Sequence, residues 1–257
     1  MNVDIQKGDI WKRISAWLFD SVMLLVLVTL FAMPLFAIFK YDDKLEAVES
    51  IEAEYKEQMK NDGLNPDITS EELDALGKEE RAKYDAIDKK RSEDERLILG
   101  YSLIASTMMI GVTASILLAS IILELIVPIL FKNGQTLGKK VFGLAVMHTN
   151  SVKLRGQAHF VRSIIGKCAI ETLVPVFFVL MIFFGRIGIV GVILLVLLLG
   201  LQLFSVISTK RTRSTIHDLI SDTVVVDLAS QKIFDTYDDL MEYKNRLHEE
   251  MVSKQDY

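Results

Sequence analysis

Cysteine is nearly missing from this chain of 257 residues. Cys168 stands alone, so no internal disulfide can form and cysteine-rich metal sites are excluded. Set near the start of an apolar run, it reads as inert packing. The metal-ligand spacing HExxH is missing too. So is a complete phosphate loop, although "GQTLGKK" at 134–140 looks like one at first. A P-loop puts four residues between its glycines, then Lys, then Ser or Thr. Here only Gln135, Thr136 and Leu137 separate Gly134 from Gly138, and Lys140 follows Lys139. The segment before it is a long apolar run, not a short buried strand. Nucleotide binding is excluded on that ground.

Charge is missing from long blocks. Residues 14–39 carry only Asp20, 97–131 only Glu124, 168–184 only Glu171, and 187–209 no charge at all. Each block is about the length that spans a bilayer. A soluble helix would keep a polar face, and "VMLLVLVTLFAMPLFAIF" has none. The first block is too long for a cleaved signal peptide, carries Asp20 near its start and ends without a small-x-small site. The fold class is therefore an all-α polytopic membrane protein with four transmembrane helices.

Lysine and arginine in the short loops set the expected orientation. Residues 132–167 hold seven basic side chains (Lys132, Lys139, Lys140, Lys153, Arg155, Arg162, Lys167) and no acidic one. Lys210, Arg211 and Arg213 follow the fourth span, and Lys7, Lys12 and Arg13 precede the first. Both termini and the 132–167 loop are thus expected in the cytoplasm, with Trp11 and Trp17 as interfacial anchors. Residues 41–96 fall outside, with 19 Asp or Glu against 10 Lys or Arg. They read as a helical hairpin broken at "DGLNPD", its second helix opened by a Thr69–Glu72 capping box and running toward the second span. On the cytoplasmic side, 142–154 reads as a β-hairpin about Thr149-Asn150, and Thr223–Asp227 as a further strand. From Gln231 on, Ile233, Tyr237, Leu240, Leu247 and Met251 give an amphipathic tail helix. Four regions result: 1–40 with the first span, the external acidic insert 41–96, the remaining membrane domain 97–227, and the cytoplasmic tail 228–257.

The charges inside the spans are candidate functional groups, because an intramembrane charge is costly. Asp20, Glu124 and Glu171 are expected in the same half of the membrane. "ELIVP" and "ETLVP" repeat one pattern, in which a proline four residues on removes the donor to the glutamate's own carbonyl. A carboxylate beside a freed carbonyl suits a cation or a proton. For Asp20, Arg13 lies seven residues back, so Arg13–Asp218 is the better ion pair. Gly111, Ser115 and Ala119 form a small-residue contact face.

Arg13 and Asp20 at the first span, "GQTLGKKVFGLAV" after the second and "HDLISDTVVV" after the last together resemble the RDD family of bacterial membrane proteins. The resemblance covers about 8–40 and 97–227, with "GQTLGKK" its most specific match; the acidic insert and the tail depart from it. It implies that Arg13, Asp20 and Asp218 are the family's named residues, with His217 beside the last, and that the chain is a multi-pass protein of the bacterial plasma membrane. Some members are implicated in cation–proton exchange, and others look like accessory modules. In this setting "GQTLGKK" reads as an interfacial turn whose Lys139 and Lys140 meet anionic lipid headgroups, each worth on the order of 1 kcal/mol.

An enzyme finds no support, since His217-Asp218 lacks a nucleophile and no catalytic, metal or cofactor site is apparent. The acidic pI of about 5.5 argues against nucleic acid. Two readings remain. In one, the chain is an accessory or regulatory protein that engages a membrane-protein partner through its insert or tail. In the other it is a cation/proton exchanger using Asp20, Glu124 and Glu171, which with four spans needs a homo-oligomer.

Overall fold

The four charge-poor blocks become four helices long and apolar enough to cross a membrane: α1 (Ile10–Ile38), α5 (Glu95–Leu130), α7 (Gly156–Phe183) and α8 (Gly188–Ser208). Between them lie α2 (Tyr41–Asn61), α3 (Ser70–Ala75), α4 (Lys78–Ser92), α6 (Leu137–Val141) and the strand β1 (Leu144–His148), and after them α9 (Ile216–Ile220), β2 (Thr223–Asp227) and α10 (Tyr237–Gln255). The structure, a computed structural model, describes residues 5–131, 133–209, 212 and 214–255. Lys132, Lys210, Arg211 and Arg213, counted above for orientation, lie outside them. The chain divides into two compact units, one of residues 1–31 with 113–257 and the other of residues 32–112.

Large apolar side chains on the long helices face outward. Leu25, Leu30, Phe183, Ile189 and Leu203 are all exposed, as expected where lipid is the solvent. Trp11 and Trp17 also point out. The close-packed core of the larger unit lies instead around the sheet. β1 pairs antiparallel with β2, Leu144 opposite Asp227 and His148 opposite Thr223. Alternate residues of a strand point to opposite faces, and both faces here are covered. Leu144, Val146 and Val225 pack on Ala16 of α1, while Ala145, Met147, Val224 and Val226 pack on Ile5 and Ile233. Lys7 bridges to Val226 and extends the sheet by one pairing. The expected hairpin about Thr149-Asn150 reduces to a single bridge between Met147 and Lys153. The "TVVVD" strand wins β1 because it offers five continuous apolar-rich pairings, where the Ser151–Leu154 arm offers one.

The tail helix α10 buries Leu240 against Val152 and Phe234, with Tyr243 beside them. Its packing is local and leaves Tyr237, Met251 and Val252 exposed.

In the other unit, the insert forms its own small core of Leu64, Tyr84 and Ile87, ringed by Tyr55, Met59 and Leu73. The capping box is present: Thr69 accepts from the Glu72 amide, and Glu72 accepts from the Thr69 amide. The expected single second helix is split at Gly77 into α3 and α4, and α4 stops at Ser92 instead of running into α5. Asp94 instead opens α5 by accepting from the Arg96 amide at 2.8 Å. Gly111 fits against the Phe36 ring, where a Cβ would lie 2.4 Å from it.

A buried charge cluster around the first span

Asp20 is buried on α1, and "GQTLGKK" is folded onto it. Thr136 donates its hydroxyl to one carboxylate oxygen at 2.5 Å, and the Gly138 amide donates to the other at 2.7 Å. Thr136 also caps α6 by accepting from the Lys139 amide. The carboxylate therefore sits at the start of this short helix, where unpaired amides face it. The other residues of the motif are equally occupied. Gly134 turns the chain at φ +63°, a left-handed conformation that glycine adopts without strain. Gln135 donates to the Leu144 carbonyl at 2.7 Å and ties the turn to β1. Gly138 lies so close to α1 that a Cβ there would be 2.2 Å from the Ala16 carbonyl oxygen. Lys140 is exposed and stands 3.8 Å over the Phe131 ring.

Lys139 departs from expectation. It is buried, whereas Lys140 is exposed. Its ammonium contacts the Thr136 hydroxyl at 3.3 Å. Burial, with Lys167 and Arg162 nearby, lowers its pKa to about 8 against the partial support of Asp20 and Glu124.

A second centre forms around Asp218. Arg162 donates to one Asp218 oxygen from Nη2 at 2.9 Å and from Nε at 3.1 Å, and both residues are almost fully buried. Thr215 donates to the other oxygen at 3.0 Å, and Arg13 approaches it to 4.0 Å. The expected Arg13–Asp218 pair is therefore the outer contact; Arg162 holds the carboxylate directly. Burial pushes the Asp218 pKa up, but the Arg162 guanidinium bonded to it, with Arg13 beyond, reverses this and holds it well below the usual carboxylate range. Arg162 Nη2 also lies 3.1 Å from His217 Nε2. A guanidinium can only donate, so Nε2 accepts and the ring proton sits on Nδ1. That nitrogen faces Glu171, whose carboxylate lies 2.7 Å away and whose other oxygen accepts from the His217 amide at 3.1 Å.

Arg162 and Lys167 counted above as loop charges. Both lie on α7, which begins at Gly156 and passes through a π-helical stretch, Val161–Leu173. The helix extends that far because Asp218 and Glu124 answer the two charges. Glu124 pairs with Lys167 and is itself within the π-helical stretch Ile121–Ile126 of α5. Its other oxygen is buried and has no hydrogen-bond partner among the described residues. The wider turn also changes the proline argument. Val127 bonds back to Ile122 and Val174 to Ala169, five residues rather than four. In that register the carbonyls opposite Pro128 and Pro175 belong to Leu123 and Ile170, not to the glutamates.

Asp20, Glu124 and Glu171 thus each have separate protein partners. Among the described residues no group of three or more His, Cys, Asp or Glu could hold a metal ion, so the three do not form a shared cation-ligand set. Of the three, Asp20 lines a cavity of about 220 Å³ whose wall also includes Lys139, Arg162, Lys167 and Asp218, with Ile14 and Trp17 among its apolar residues. Arg162 is the residue that sequence reasoning missed. Its signal was the apolar character of "FVRSIIGKCAIETLVP", which continues the third span upstream of residue 168.

The sequence model of the RDD family matches residues 7–222. No similar curated protein and no similar solved structure was found.

Proposed function

The chain belongs to the RDD family, and from that premise we propose that it is an accessory or regulatory component of the bacterial plasma membrane, acting through a protein partner and not as an enzyme. The observation that carries this is that Asp20, Asp218 and Glu171 each have both carboxylate oxygens engaged by protein groups. Asp20 accepts from Thr136 and Gly138, Asp218 from Arg162 and Thr215, and Glu171 from His217. A buried carboxylate engaged in this way holds elements in place and has little freedom to bind and release an ion. The parts that remain for recognition are the acidic insert, with its own core, and the exposed apolar and charged face of α10. Exposed Lys140 and Arg155 support placing the sheet end of the helices in the cytoplasm.

One observation favours the alternative of an oligomeric cation/proton exchanger: the unbonded, buried oxygen of Glu124 beside Lys167. Proteoliposomes separate the two. With imposed Na⁺, K⁺ and proton gradients, the accessory role predicts flux equal to empty liposomes, and photo-crosslinkers in the insert or α10 that join one defined partner in native membranes. Cation-coupled proton flux by the wild type, lost in Glu124→Gln, would replace this reading by exchange.

A further inference from the structure

Among the described residues, Lys139 sits in this cluster without an ion pair of its own. Asp218 takes Arg162, and Glu124 takes Lys167. Asp20 spends one oxygen on the Thr136 hydroxyl and the other on the Gly138 amide. Lys139 is more than nine-tenths buried. Its ammonium has a single hydrogen bond, to a hydroxyl whose own proton goes to Asp20. Among the described residues no carboxylate comes within ion-pair distance of it. A buried ammonium needs a counter-charge or must give up its proton.

Lys139 lines the cavity, and so do Arg13, Arg162 and Lys167, against two acidic residues, Asp20 and Asp218. At about 220 Å³ the space is several times the ~30 Å³ of a water in the liquid. Apart from Thr215 and His217, its remaining wall is apolar. Ile10, Ile14 and Trp17 stand at i, i+4 and i+7, one face of α1, and each is at least 40% exposed. The space thus joins cationic side chains to an exposed apolar face of α1.

We propose that this cavity binds a phosphate-class oxyanion through Lys139, supplied by the headgroup of an anionic lipid whose chains run out past Ile14 and Trp17. The cationic wall selects the anion, and the apolar wall is of use only to an amphiphile. An anion here would supply the counter-charge that Lys139 lacks and draw its pKa back up from about 8. The proposal is independent of whether the protein is an accessory component or an exchanger.

The test is native mass spectrometry and thermal shift on the full-length protein in a nonionic detergent, with phosphatidylglycerol, phosphatidylcholine or inorganic phosphate added. The wild type is expected to retain one phosphatidylglycerol about tenfold better than phosphatidylcholine, the ratio that one charge-assisted contact supplies. Phosphatidylglycerol should raise the Tm, and phosphatidylcholine should not. Lys139→Gln should lose the preference, Lys139→Arg should keep it, and Lys140→Gln, altering an exposed lysine, should leave it within about twofold. Release of the lipid by millimolar inorganic phosphate, with the same rise in Tm, would assign the Lys139 site to a soluble phosphate. A wild type that does not distinguish the two lipids and ignores phosphate, or a folded Lys139→Gln that retains the preference, overturns the proposal. The wild-type arms decide this even if Lys139→Gln does not fold.

Discussion

Replacing Gly138 by alanine adds one methyl group at the tightest contact of the cluster. The new Cβ would lie 2.2 Å from the Ala16 carbonyl oxygen and 3.0 Å from both the Ala16 carbonyl carbon and an Asp20 oxygen. Neither α1 nor the loop can absorb this with a flexible side chain, because the clash is with backbone. Restoring ordinary contact needs a retreat of about 1 Å, and overpacking of this kind costs roughly 1–3 kcal/mol. The same retreat stretches the 2.7 Å bond from the Gly138 amide to Asp20 past hydrogen-bond range, and a bond to a charged group is worth about 1.5–3 kcal/mol. Alanine returns about 1 kcal/mol through helix propensity, since Gly138 lies in α6. The net expectation is a loss of about 1.5–5 kcal/mol. Unfolding in mixed micelles with sodium dodecyl sulfate, followed by tryptophan fluorescence, suits the measurement because Trp17 adjoins Ala16. Gly200→Ala is the control: nothing lies within 4 Å of its added Cβ and it sits inside α8, so stability should stay level or rise by up to about 1 kcal/mol. A Gly138→Ala protein within about 0.5 kcal/mol of wild type would refute the docking of this loop on Asp20.

Two further perturbations test the same cluster. Arg162→Met strands the buried Asp218 with Arg13 at 4.0 Å as its remaining guanidinium, and should cost about 3–5 kcal/mol; the double variant with Asp218→Asn should cost at least about 1 kcal/mol less than the sum of the single changes in the same unfolding assay. Lys139 gives a pH signature in delipidated protein. Its folded pKa of about 8 lies below the ordinary 10.5, so the unfolded chain binds the extra proton and stability should rise as pH climbs from about 8 toward 10.5. The ceiling is on the order of 3 kcal/mol, and Lys139→Gln should flatten that part of the profile.

The spans were legible because lipid demands long uncharged runs, and a run of that kind is a local property of the chain. The capping box at Thr69 was legible for the same reason, since both partners lie within four residues. The cluster was not. Asp20 and Thr136 are 116 positions apart, and nothing in either neighbourhood names the other. "GQTLGKK" stood out as unusual, but its spacing alone could exclude a nucleotide without revealing that Gly138 is a contact surface. Arg162 was read as a loop charge because a hydropathy run ends at the first charges, whereas a helix continues wherever partners neutralise them. Glu124 and Glu171 were placed in the right helices, but the π-helical turns moved the carbonyls opposite the prolines by one residue, a change of winding that composition does not encode. The pairing of β1 went to β2 instead of its nearer neighbour because a full strand outweighs the entropic advantage of a short loop.

The bridge between Lys7 and Val226 brings the chain's earliest described residues against a strand made more than 200 residues later. Its consequence is temporal. During synthesis α7 is made, with Arg162 and Glu171 on it, before His217 and Asp218 exist. Until the ribosome has passed residue 226 the amino-terminal segment has no strand edge to join, and the arginine has no carboxylate from β2's neighbourhood to meet. A chain that stops before α9 therefore carries Arg162 without the carboxylate that answers it in the finished fold. The last residues of the family segment act as the latch by which a finished molecule differs from a fragment.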